Sequence, residues 1–235
     1  MGFSRGPKIV TDGLILALDA GNTKSYPGSG TTWNDLSGNG SNSTLYNTPT
    51  VRTDNSGNLG FNGSNEYAAN TTLDLGTDPA ALSIVMTIRR TGTISDGGTW
   101  GLGGAGSNTG LNNYSAGSRA NKIGWDLWGK TTFDTGQNYP LDEWVNVCWI
   151  KNGSGMSTST CTIFINGVSA PITYTLRNNS STVNLADGYS LGRISPTFNN
   201  YYGSADIASF YIYEKVLTAT EVLQNYNATK ARFGL

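Results

Sequence analysis

The sequence predicts an all-β fold in which two antiparallel sheets pack as a sandwich, with one short helix near the C-terminal end. Three observations carry this. Apolar and polar residues alternate at period two in several segments, Gly- and Asn-rich turn clusters recur at short intervals, and no strand–helix–strand alternation is visible. Many short strands joined by tight turns build sandwiches, whereas parallel sheets need helical crossovers.

In chain order, Gly13 to Asp19 (GLILALD) reads as the first strand, and Ser37-Gly-Asn-Gly, Asn55-Ser-Gly-Asn and Asn62-Gly-Ser-Asn follow as turns. Leu82, Ile84, Met86 and Ile88 alternate with Ser83, Val85, Thr87 and Arg89, the pattern of a strand with one face in the core. After the turn at Asp96-Gly-Gly, Lys122 to Trp128 (KIGWDLW) repeats the alternation. Trp144 to Lys151 and Thr160 to Asn166 flank a Gly/Ser-rich connection and should pair as a hairpin; Trp144 and Trp149 differ in parity, so at least one belongs to the core. A helix should begin at Thr218, because Thr218 with Glu221 makes a capping box and Leu217 with Val222 a hydrophobic staple.

The chain has 235 residues, a length that one sandwich can absorb, so one domain over residues 10–235 is expected, preceded by an arm over residues 1–9. Charged residues make up only 13%, with 15 basic against 16 acidic, which offers neither nucleic acid nor an anionic membrane an electrostatic partner. No apolar run approaches a membrane span, and the N-terminal stretch lacks the apolar core of a secretory signal. Synthesis in a cytoplasm, followed by release on a particle, reconciles that with a surface rich in Asn, Ser and Thr. Cys148 and Cys161 are too few for a disulfide scaffold and read as buried small hydrophobes.

Several segments resemble one family, the laminin-G-like domains of the concanavalin A-like lectin and glucanase superfamily. LDAGN (18–22), SYPGSGTTWNDLSGNG (25–40) and FNGSNEY (61–67) resemble its opening hairpins. WVNVCWIKNG (144–153) with FING (164–167) resembles the central hairpin, and YSLGR (189–193) with YYGSADIASFYIYEKVLTATEV (201–222) resembles the closing strands and helix. The resemblance implies a jelly-roll of two curved antiparallel sheets, and the wording of the opening segment looks most like modules of tailed-phage virion proteins.

Glucanase members of that superfamily resemble one another in a Glu-x-Asp-x-x-Glu strand, which is absent here; Asp142 and Glu143 are adjacent and would point to opposite faces. The chain has no His, hence no imidazole base. The expectation is a chain without catalysis. No cofactor is expected, and no metal either, since the resemblance puts Asn65-Glu66 where many relatives have Asp-Asp and Ala208 where many place an acid. A sugar site would need aromatic faces beside amides and carboxylates; Trp125, Asp126 and Trp128 on one strand, with Asn112 and Tyr114 before it, are the candidates. Trp125 alternatively belongs to the core.

These readings converge on a virion surface protein, either a capsid decoration protein or a tail-associated adhesin for a host-surface glycan, with other virion proteins as partners. In the arm, Phe3 would anchor on a partner while Arg5 and Lys8 pair with its acids.

Overall fold

The computed structural model describes residues 7–94, 97–104, 110–115, 120–127, 130–176 and 182–235, without the side chains of residues 114, 115, 174 and 176. The strands are β1 (Leu14–Asp19), β2 (Thr32–Trp33), β3 (Ser43–Tyr46), β4 (Thr50–Arg52), β5 (Asn58–Asn62), β6 (Tyr67–Asn70), β7 (Ala81–Arg90), β8 (Gly97–Leu102) and β9 (Leu111–Ser115). They continue as β10 (Lys122–Leu127), β11 (Thr131–Asn138), β12 (Trp144–Asn152), β13 (Cys161–Ile165), β14 (Val168–Ala170), β15 (Tyr174–Leu176), β16 (Tyr189–Leu191) and β17 (Ser204–Tyr213), before the helix α1 (Ala219–Thr229).

Among the described residues the first sheet runs β14-β13-β12-β7-β17-β5-β4, with β1 also paired to β17, and the second runs β15-β11-β10-β9-β8-β16-β6-β3-β2. All strand pairs are antiparallel, so the expected two-sheet sandwich with a short C-terminal helix is the observed fold. The strongest sequence pattern sits at the centre of the first sheet. Leu82, Ile84, Met86 and Ile88 of β7 enter the inter-sheet core, while Val85 faces the other way. The predicted hairpin forms as β12 and β13, with Cys148 opposite Phe164 and Lys151 opposite Cys161. That register puts the cysteines on different faces: Cys161 joins the inter-sheet core and Cys148 the cluster outside the first sheet. Both are free and buried.

Three tryptophans join the sheets. Trp149 of β12 meets Trp100 of β8 edge-on at 5.2 Å, and Trp100 meets Trp125 of β10 at 5.9 Å and 82°. The Trp149 indole N–H donates to the Gly124 carbonyl across the core at 2.9 Å, so the contact fixes direction as well as distance.

The outer face of the first sheet is covered by α1. The capping box at Thr218 and Glu221 is present, and Leu217 and Val222 pack with Val85, Cys148, Phe164 and Tyr211. Asn225 of the helix accepts from the Val10 amide at 2.8 Å and donates to the Tyr213 hydroxyl, which donates in turn to the Val10 carbonyl. Gln224 donates to the carbonyl of Lys8 at 2.9 Å, so residues 8–10 are fastened to the chain's own helix. The opening segment makes a second fastening. Asp35 accepts from the amides of Ala17, Ser37 and Ser41 and from the Ser37 hydroxyl.

Two outcomes follow for stability. Trp149→Ala should destabilise the fold by about 3–5 kcal/mol, since it removes a large core side chain and leaves a cavity, whereas Thr218→Ala should cost only about 1 kcal/mol; urea unfolding measures both. Burial pushes the Cys161 thiol up to about 11 and that of Cys148 higher still, so neither carries appreciable thiolate at pH 8. Native protein should resist thiol labelling at that pH, and rapid labelling would contradict the packing.

Candidate functional site

Among the described residues no helix covers the second sheet, and its outer face is assembled by register. One cross-strand row runs Thr132, Asp126, Asn112, Gly101, Ser190, Ala69, Thr44, Thr32 from β11 to β2. The residues between them point the other way: Trp125 opposite Phe133, and Trp100, Leu191, Ala68 and Leu45 in sequence, all in the core. The row is therefore the outward half of a period-two pattern whose inward half holds the sandwich together.

At one end the row is acidic and polar. Asn112 and Asp126 face each other directly, Thr132 donates to Asp126 Oδ2 at 2.7 Å, and Asp134 stands opposite Gly124, its Oδ1 accepting from the Gly136 amide at 2.7 Å. All four side chains are buried beneath their neighbours. Asn112 Oδ1 and Asp134 Oδ2 have no hydrogen-bond partner among the described residues. Both atoms are acceptors, and a buried acceptor without a donor costs about 1–3 kcal/mol.

At the other end the face is aromatic. Tyr46 and Tyr67 are cross-strand neighbours whose rings stack at 4.4 Å and 12°. The Arg193 guanidinium lies 3.5 Å from the Tyr67 ring centre. Two groups that close cannot share one ring face, so Tyr67 is sandwiched and the order is Arg193, Tyr67, Tyr46, solvent. Arg193 is only 2% exposed; it donates to Asn199 Oδ1 and the Pro196 carbonyl, and no carboxylate among the described residues pairs with it.

The segment after Arg193 folds back over β8. It lies flat because β8 is bare of side chains there: a Cβ at Gly97 or Gly101 would overlap the carbonyl oxygens of Tyr202 and Ile194. The segment brings further rings to the face. Tyr202 lies 6.2 Å from Tyr67, and Phe198 stacks on Tyr201 at 5.8 Å and 16°. Tyr201 takes a left-handed backbone (φ 62°), unusual for an aromatic residue, and this turn brings the two tyrosines onto the surface in succession. The result is an aromatic strip of two ring groups, Tyr46–Tyr67–Tyr202 and Phe198–Tyr201, joined through the adjacent positions Tyr201 and Tyr202, with Tyr46 40% and Phe198 39% exposed.

Of the residues expected to form a sugar site, the structure unites Asn112 and Asp126 as a facing pair. Trp125 is a correction: it is fully buried between the sheets, because its parity is opposite to that of Asp126, and it offers no platform. Trp128 and the side chain of Tyr114 lie outside the described residues, as do Phe3 and Arg5. Lys8 is exposed. Sequence reasoning missed Asp134, Tyr46, Tyr67, Arg193 and Tyr202. The available clue was the outward parity of Tyr46 beside the inward Leu45.

No family model matches the chain, and no curated protein matches it. Solved structures do. Domain 4 of AbnA, a GH43 extracellular arabinanase from Geobacillus stearothermophilus solved in complex with arabinotriose, matches with a TM-score of 0.62 at 15% identity, over 91% of this chain and 98% of that one. Trypanosoma rangeli sialidase in complex with sialic acid matches with a TM-score of 0.60 at 14% identity, over 94% of this chain and 33% of the sialidase. The binding domain of Paraclostridial Mosquitocidal Protein 1 matches with a TM-score of 0.60 at 15% identity, over 93% of this chain and 52% of that one. This chain thus spans about a third of the sialidase chains it matches. At such identities the likeness is one of fold: a sandwich of two antiparallel sheets.

The matches also correct the expectation of a chain without catalysis, since sialidases and an arabinanase are among the proteins that contain this fold. That expectation rested on one carboxylate pattern and on histidine, and sialidases, which use a Tyr nucleophile, depart from the two-carboxylate rule.

The unpartnered acceptors give this face a test of its own. Asn112→Leu removes an acceptor that finds no donor among the described residues, so stability to urea should stay level or rise by up to about 1 kcal/mol. A loss above that size would mean that the amide serves the fold.

Proposed function

We propose that this chain is a glycan-recognition module whose binding surface is the outer face of the second sheet. The observation that carries the reading is the exposed aromatic strip, which shares that face with the Asn112–Asp126 pair. Sugar rings lay their C–H faces on aromatic rings while their hydroxyls pair with planar amides and carboxylates. Tyr46 offers a ring face to solvent, while Asn112 and Asp134 lie buried under that face, each with one acceptor that has no partner among the described residues. Support also comes from the match over nearly the whole of an arabinanase domain solved with arabinotriose.

For the setting we carry forward the laminin-G-like resemblance of the opening and closing segments to tailed-phage virion modules, with a tail-associated adhesin as the role that uses a glycan site. A capsid decoration role is the second reading; it rests on the same resemblance and requires no sugar. Locating the protein on purified particles by electron microscopy separates the two, because a tail position favours the adhesin and a capsid position the decoration protein.

The glycan reading is tested with an array of plant, bacterial and sialylated glycans, followed by calorimetry on the best ligand. Tyr46→Ala should weaken binding about tenfold with the melting temperature nearly unchanged, because the ring is a surface group. An array with no ligand above background would sink the reading.

A further inference from the structure

The first sheet carries a separate polar depression on strands β4, β5 and β17, away from the cluster that α1 covers. Its volume is about 280 Å3, just below the range of roughly 300–1,000 Å3 that holds drug-sized ligands, so it has room for one small ring. The floor is a cross-strand row, Thr50, Gly60, Asp206, Arg89. Gly60 opens it: a Cβ there would stand 2.6 Å from Asp206 Oδ1 and 3.1 Å from Arg52 Nε.

The ion pairs beneath are closed. Asp206, 1% exposed, accepts from Arg52 Nε at 2.9 Å through Oδ1 and from Arg89 at 2.7 and 3.0 Å through Oδ2, and Arg89 also pairs with Asp54 at 3.0 Å. What remains unused points to a ligand. The terminal nitrogens of Arg52 have no partner among the described residues, and its side chain is 42% exposed. Glu66 accepts from the Asn62 amide through Oε2 alone, and burial pushes its carboxyl up, so further donors would stabilise the charged form. Thr91 and Ser204 share one hydroxyl bond at 3.1 Å, which leaves a second proton to donate.

Charge decides the class. An anion would meet Asp206 and Glu66, and a cation would meet Arg52 and Arg89, whereas a neutral polyol supplies donors and acceptors in equal measure. We propose that this depression is a second saccharide site, taking one neutral sugar unit through Arg52, Glu66 and the Thr91–Ser204 hydroxyls. It shares the ligand class of the proposed function and lies on the opposite sheet.

The test is an amide-resolved NMR titration of the whole chain with arabinose, galactose, N-acetylglucosamine and arabinotriose. Saturable shifts are expected at Gly60, Asn62 and Ser204, and these report the depression; Tyr46, Tyr67 and Tyr202 report the aromatic face. Arg52→Lys keeps the charge opposite Asp206 but loses the fork, and should weaken the first set about fivefold while leaving the second unchanged. Shifts confined to the aromatic face, or a first set indifferent to Arg52→Lys, overturn this inference and leave the proposed function standing. Shifts confined to the depression do the reverse, and shifts in neither set sink both.

Discussion

The contact on which the rest depends is the edge-to-face packing of Trp149 on Trp100 and of Trp100 on Trp125, closed by the indole bond from Trp149 to the Gly124 carbonyl. It spans both sheets. A strand has two faces and its side chains alternate between them, so fixing Trp125 inward fixes Gly124 and Asp126 outward, and the paired strands follow. Asn112 and Thr132 face outward because Asp126 does, and Ser190, Ala69 and Thr44 because they continue its row. A slip of one residue in β10 would bury a carboxylate in the core and expose an indole. The candidate surface is thus the far side of the constraint that holds the sandwich together.

The two outer faces meet different fates. The first sheet gives the part of its outer face around Val85, Cys148 and Tyr211 to α1, and the chain commits Leu217, Val222, Asn225 and the segment around Val10 to that cover. Among the described residues the second sheet receives the backbone of a glycine-floored loop, so its aromatic end keeps Tyr46 and Phe198 exposed while its polar end is buried.

Much of the framework was legible in the sequence because it is local. The alternation in β7, the hairpin of β12 and β13, and the cap at Thr218 each depend on residues within a few positions of one another. The site was legible only in part. Asn112 and Asp126 lie close enough in sequence to be suspected together, but Trp125 was given a surface role among its alternatives because an indole looks alike in a core and on a platform. The aromatic end was not legible at all. Tyr46, Tyr67 and Arg193 come from three segments spread over almost 150 positions, and β3 and β6 are too short for periodicity to announce them. Only the pairing of β6 with β3 and β16 brings them together.

Arg193 shows what that assembly demands. A guanidinium almost wholly removed from water and lacking a carboxylate among the described residues is costly, and two neutral oxygens with one ring face only partly offset the lost hydration. A lysine could not replace it, because only a planar fork can lie on Tyr67 while donating sideways to Asn199 and Pro196. The group that stacks on Tyr67 is thus also the group that holds the loop bearing Phe198, Tyr201 and Tyr202. The orientation of the Tyr67 ring, on which Tyr46 stacks, and the course of the loop that carries Phe198, Tyr201 and Tyr202 thus meet at one buried cation.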